Sequence, residues 1–112
     1  MSASPVTTYH FIAASEQFLT VEEPLEEVLR ERVRNYGEVG KEIDFWLLKR
    51  PAFLSAPELS ALATTVPSPA AAVVSTDPKF IEFLKLRLEF VAKGSFQAPS
   101  SSIEDPLAQQ AT

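Results

Sequence analysis

The chain contains no cysteine. Disulfides, thiolate catalysis, zinc–thiolate sites and iron–sulfur clusters are therefore excluded, and the composition fits a reducing compartment. Histidine is nearly absent too: His10 is the only one. General acid–base catalysis usually rests on a histidine or a perturbed carboxylate pair. His10 lies between Tyr9 and Phe11 in the middle of a predicted strand, a place that suits a hydrogen-bonded or half-exposed residue better than a catalyst. No predicted helix carries a histidine, so paired Glu-x-x-His metal ligands are missing. The three glycines, Gly37, Gly40 and Gly94, form no phosphate-cradling loop, and there is no Gly-x-Ser-x-Gly elbow. No apolar run approaches the ~20 residues that cross a bilayer. Met1 to Val6 shows neither a charged segment leading into an apolar one nor the arginine of an organelle transit peptide. The expectation is a protein with no catalytic chemistry, no metal and no cofactor of its own.

What is present suits one small domain. The 112 residues are 46% hydrophobic and include eight Phe, one Trp and two Tyr. That is enough bulk for one core, with the modest stability margin of a small domain. The net charge is −5 and is unevenly spread. Between Glu16 and Asp44 nine acids face four bases, whereas from Lys49 onward six acids balance six bases. With no basic stripe, nucleic acid and anionic membrane surfaces are poor partners. Glu22, Glu23, Glu26 and Glu27 read as acids at a helix N-terminus and on a solvated face, not as a metal site.

Thr7 to Ala14 is β-branched and aromatic, with both faces apolar, and predicts a central strand. Ser15 to Glu23 connects, with Phe18, Leu19 and Val21 packing back onto the core. Pro24 opens a helix whose apolar face is Leu25, Val28, Leu29, Val33 and Tyr36, and Gly37 and Gly40 end it. Ile43 to Leu48 predicts a second strand. A further short strand is possible at Ala52 to Leu54, and a short helix runs from Pro57 to about Thr65. The wholly apolar Ala70 to Ser75 predicts a buried third strand. Asp77 or Thr76 caps a last helix, with Pro78 in its first position, that continues through Val91 to Gly94. Its polar residues Glu82, Lys85, Glu89 and Lys93 make one narrow stripe. So wide an apolar arc points to burial, in the chain's own core or against a partner. Residues 1–6 read as a flexible lead-in, 7–96 as a single domain, and 97–112, rich in Ser, Ala, Pro and Gln, as a disordered tail. The order is β-α-β-α-β-α around one sheet of three to four strands, an α+β class.

Two arginines stand out. Arg87 falls within the apolar arc of the last helix, and Arg32 within that of the first. A guanidinium there needs a carboxylate, carbonyls or a water path. Asp44, unfavourable inside a strand, is the natural candidate partner. The pair could be an internal brace. Alternatively Arg87, Asp44 and Phe45 form a partly open polar and aromatic patch that docks a partner, since arginine among aromatics is common in interface hot spots. Both can hold together. Arg32 is assigned to structural ion pairing.

Four segments carry a resemblance: Glu22 to Arg32, Lys41-Glu42-Ile43-Asp44-Phe45-Trp46-Leu47, Pro69 to Thr76, and Phe83-Leu84-Lys85-Leu86-Arg87-Leu88-Glu89. Over about Thr8 to Phe96 the chain resembles a small cyanobacterial and plastid family, that of hypothetical chloroplast reading frame fifty-four. Its members associate with the magnesium-protoporphyrin IX monomethyl ester oxidative cyclase of chlorophyll biosynthesis. The resemblance implies an antiparallel or mixed sheet flanked by helices. It implies an accessory or assembly factor that stabilises the cyclase, with the catalytic diiron subunit as partner and other chlorophyll-biosynthesis enzymes as further candidates. The expected place is the cyanobacterial cytoplasm or plastid stroma, at the thylakoid only through that partner, and a homodimer is left open. By motif, the family's binding surface falls on Ala14, Asp44, Phe45 and Arg87. His10 stands where the family is expected to have tyrosine. A competing reading is a tetrapyrrole carrier that uses Arg87 to hold a carboxylate in a deep aromatic cavity.

Overall fold

A computed structural model describes residues 6–109. Residues 1–5 and 110–112, the outer parts of the expected lead-in and tail, lie outside the described residues. The elements are β1 (Thr7–Ser15), α1 (Leu25–Val39), β2 (Phe45–Lys49), α2 (Ser60–Ala63), β3 (Ala70–Ser75), α3 (Pro78–Leu88) and β4 (Ala92–Ala98). The four strands form one antiparallel sheet in the order β2-β3-β1-β4. The class is α+β, as expected.

Strand alternation divides the interior into two cores. Ile12, Ala14, Ala71 and Val73 face α1 and α3 and join Leu25, Leu29, Ile81 and Leu84. Phe11, Ala13, Ala72 and Val74 face the other way, where Phe53, Leu59, Phe96 and Ile103 cover them. The central strands β1 and β3 carry apolar side chains on both faces for this reason. The same pattern had marked them in the sequence.

Several expectations are corrected. The last helix does not reach Gly94: it stops at Leu88, and Glu89 takes a left-handed φ of 58°. Residues 92–98 form β4 along the free side of β1. Gly94, read as a helix terminator, is needed for a different reason. A Cβ there would lie 2.8 Å from the Phe11 ring and 2.9 Å from Leu62. Ala52 to Leu54 is a 3₁₀ turn and not a strand.

The α1 helix runs through Gly37, and only Gly40, at φ 69°, caps it in the left-handed region. Pro24 stands just before the first helical residue. Val21 and Val33, expected to pack inward, are exposed, whereas Leu19 is buried.

Residues 97–109 depart from the expected disordered tail. Gln97 and Ala98 complete β4. The segment then crosses the second core, buries Ile103 and returns to the edge of β2. There the Ala52 N–H donates to the Ala108 carbonyl at 2.9 Å and the Lys49 N–H to Gln109 Oε1 at 2.7 Å. Ile103 and Leu107 are the anchors that a Ser-, Pro- and Ala-rich stretch conceals.

Candidate functional site

The arginine that reaches Asp44 is Arg32, and it does so through a tyrosine. On α1, Arg32 Nη2 donates to the Tyr36 hydroxyl at 2.9 Å, and that hydroxyl donates to Asp44 Oδ1 at 2.9 Å. The same Nη2 lies 3.6 Å from Asp77 Oδ2 at the start of α3. The guanidinium carbon sits 3.8 Å from the Phe80 ring centroid, 5.0 Å from Tyr36 and 5.3 Å from Phe45. Cation–π attraction to three rings and two nearby carboxylates explain how a charge is tolerated among apolar neighbours. Arg32 Nε is buried and finds no acceptor among the described residues.

Asp44 is held from both ends. Its carboxylate meets Tyr36 and lies 3.9 Å from Lys41 Nζ. Its carbonyl accepts from Ser75 Oγ at 2.8 Å and from the Thr76 N–H at 3.1 Å. Ser75 Oγ also accepts from the Asp77 N–H at 2.9 Å, and Asp77 Oδ1 accepts from the Lys79 N–H at 3.0 Å. Of Thr76 and Asp77, the two caps left open by the sequence, Asp77 is the one formed. One continuous network thus ties α1, the start of β2, the end of β3 and the start of α3 together.

The proposed docking residues part company here. Phe45 is 3% exposed, edge-on to Tyr36 and Phe80, and belongs to the core. Ala14 is 7% exposed and pairs with Ala71, whereas Phe45 pairs with Ser75. Four residues of β3 separate the two positions, roughly 13 Å at strand rise. Both side chains are buried. Arg87 is exposed, and its side chain makes no hydrogen bond or ion pair among the described residues. It lies ten residues beyond Asp77 on α3, roughly 15 Å along the axis. The Arg87–Asp44 brace considered from the sequence is therefore not formed. Arg32, assigned to ion pairing, pairs with Asp77.

Arg87 misses the core because the buried face of α3 is narrower than its apolar composition suggests. Phe80, Ile81, Leu84 and Leu88 point inward. Arg87 stands about 60° round the helix from Leu84, next to Phe83. Phe83, Leu86 and Phe90 are 52%, 72% and 85% exposed. Phe83, Leu86 and Arg87 lie three and four residues apart on the helix and form one outward strip, and Phe90 is exposed just past the helix end. Phe90 follows the strained Glu89 corner. Phe83 also lines a cleft of about 330 Å³ with Arg32, Asp77 and Phe80, so the strip runs into the Arg32 network. The signal for these residues was the excess width of the apolar arc.

Ala14 borders a separate cleft of about 430 Å³ with Phe18, Val66 and Phe90 at the far end of α3. Arg87 does not line this cleft or those at Arg50, Trp46, Phe53 and Phe83. Among the described residues, no group of three or more His, Asp or Glu is placed to hold a metal ion, and no helix is long and apolar enough to cross a membrane. The acids of α1 are solvated. Glu26 pairs with Lys49 at 3.8 Å, and Arg34 pairs with Glu31 and Glu38. The hydrogen-bonded Arg34 guanidinium holds the Glu31 carboxyl below its ordinary value.

Comparison with known proteins fits this architecture to a family. The model of the Ycf54 protein family matches residues 7–98. A Ycf54-like protein of Synechocystis is 54% identical over 103 residues, covering 92% of this chain and 77% of its own. The chloroplastic protein YCF54 of Arabidopsis thaliana is 40% identical over 107 residues, 95% of this chain but 49% of the plant protein. The X-ray structure of the All0216 protein from Nostoc superimposes with a TM-score of 0.93 at 54% identity, covering 96% of this chain and all of that one. The family match, the cyanobacterial and chloroplast relatives and the shared fold of the Nostoc protein leave one conclusion: the chain belongs to the Ycf54 family.

Proposed function

We propose that this protein is a non-enzymatic accessory factor that binds and stabilises the magnesium-protoporphyrin IX monomethyl ester oxidative cyclase, with the diiron subunit as its partner. The observation that carries this reading is the outward strip of α3, where Phe83 and Leu86, with Phe90 just past the helix end, are exposed on the same helix as an Arg87 with no partner among the described residues. Large apolar side chains left in water at helical spacing gain free energy when a second surface covers them. Arginine and aromatic residues are the usual anchors of such a contact. The choice of partner rests on the family resemblance of the Asp44 and Arg87 segments. Binding only to the assembled state raises the population of that state by mass action. Thylakoid association follows from the partner, since the strip bears too few cations for an anionic lipid surface to hold it.

Asp44 contributes at the other end of the strip, through the network that sets α1 against α3. Phe45 and Ala14 act from beneath, by shaping the surface and not by touching the partner. The carrier alternative required a deep cavity beside Arg87, and the clefts described above do not include that residue. The test is capture of the cyclase diiron subunit by tagged chain. Arg87→Ala and Phe90→Ala should each lower capture by about tenfold, as loss of a hot-spot residue does. Both should melt within roughly 0.5 kcal/mol of wild type, because neither side chain packs. Folded variants that capture the subunit at wild-type levels refute the strip.

A further inference from the structure

We propose that the cleft at Arg50 is a binding site for an amphipathic monocarboxylate. This inference is independent of the α3 strip. The cleft holds about 530 Å³, within the roughly 300–1,000 Å³ of small-molecule pockets. Pro51, Leu54, Ala63, Val66 and Pro69 supply apolar walls, and Arg50 is the cationic side chain among its lining. An apolar hollow with one fixed charge selects a ligand with a hydrocarbon body and a single opposite charge.

Arg50 is built as a fixed charge. It follows the last residue of β2, its N–H donates to the Ala70 carbonyl at 2.7 Å, and Pro51 comes next. Its backbone holds φ at 51°, a left-handed conformation that a non-glycine residue adopts only when its surroundings impose it. Its Nε is buried and finds no acceptor among the described residues. The one carboxylate near it is Glu16, whose Oε2 is 3.9 Å from Nη1, at the outer limit of an ion pair. Since Nε is shut off from solvent, a ligand carboxylate meets the two Nη groups, which have only this distant acid as a partner among the described residues and can form two parallel N–H···O bonds. Glu16 also sets the charge of the ligand. Arg50 and Glu16 together are neutral, so a dianion such as a phosphate monoester meets a repelling carboxylate with no spare cation. A monoanion can share Arg50.

The test is a titration of the isotope-labelled full chain, followed by amide chemical shifts, with decanoate as a linear acid and naphthoate as a planar one. Either acid should shift Leu54, Ala63 and Val66 saturably, and the tighter of the two identifies an acyl-chain or a ring ligand. Arg50→Gln should weaken binding about tenfold or more, the share of a charged hydrogen-bonding partner, and so should replacing decanoate by decanol. No saturable shift with either acid, equal binding by Arg50→Gln, or shifts centred on Phe83 to Phe90 each overturn the proposal. Should Arg50→Gln not fold, Ala63→Leu carries the test, because it fills the cleft and leaves Arg50 in place. Loss of binding in that variant supports the site, and unchanged binding overturns it.

Discussion

Tyr36→Phe isolates the network that links Asp44 to Arg32. The substitution keeps the ring against Phe45 and removes only the hydroxyl. That hydroxyl accepts from Arg32 at 2.9 Å and donates to Asp44 at 2.9 Å. Hydrogen bonds to charged groups contribute about 1.5–3 kcal/mol each when buried. The side chains of Arg32 and Asp44 are 27% and 24% exposed, so water replaces part of the loss. Asp77 at 3.6 Å and Lys41 at 3.9 Å also remain as weaker partners. The expected cost is about 1–2 kcal/mol in total, a fall in melting midpoint of roughly 4–10 °C for a domain of this size. Trp46, two residues after Asp44 in β2, reports the transition by fluorescence in urea or on heating. Asp44→Ala alone should cost a similar amount. The double variant should cost less than the sum by about 1 kcal/mol, because the two single changes remove the same bond. If Tyr36→Phe melts with wild type, or if the two changes add to within about 0.3 kcal/mol, the hydroxyl does not couple these residues and the network has been misread.

Two further outcomes follow from other parts of the fold. Gly94→Ala places a methyl against Phe11 and Leu62 at sub-contact distance and should cost about 1–3 kcal/mol by overpacking, read from urea midpoints; a neutral result would mean that β4 can shift away from α2. The Glu58 carboxyl accepts from Ser102 Oγ at 2.7 and 2.8 Å, and this bond, with a smaller contribution from its own backbone N–H, lowers its pKa. Because the folded-state value is the depressed one, the tie is present above the ordinary carboxylate range and is lost as pH falls through the folded value. Ser102→Ala should move the Glu58 midpoint upward in a side-chain NMR titration, and an unmoved midpoint would remove Ser102 as the cause.

Legibility in the sequence followed how locally each feature is determined. The bounds of β3 could be read because Ala70 to Ser75 is apolar on both faces and flanked by prolines and a cap. Pro78 in the first helical position was equally plain, with the cap narrowed to Thr76 or Asp77. The end of α3 was not, since Glu89 turns the chain without glycine or proline, and Val91 continues the apolar pattern into β4. That error concealed the strand that completes the sheet, and the excess width of the apolar arc over the buried face placed Arg87 inside it. Asp44 and the two arginines stood out in the sequence, but which arginine meets which acid depends on the separation of α1 and α3. No spacing within one helix encodes that distance. Tyr36 was counted as an apolar residue, and its hydroxyl is the link. The segment after Ala98 looked unstructured by composition, because among its described residues, 99–109, Ile103 and Leu107 are the large apolar side chains that pack onto the second core.

The strand order β2-β3-β1-β4 has a consequence for synthesis. Within this domain the strand made first, β1, is a central one, and it cannot pair until much later. Ser15 meets Ala70 and Thr7 meets Ala98, so the nascent chain carries Phe11 to Ala14 uncovered until nearly all of the family-matched region has emerged. Such non-local closure slows folding and leaves an unpaired apolar strand open to wrong partners meanwhile. Fragments that stop before Ala92 would keep one side of that strand bare, and they belong among the expected substrates of cellular chaperones and proteases.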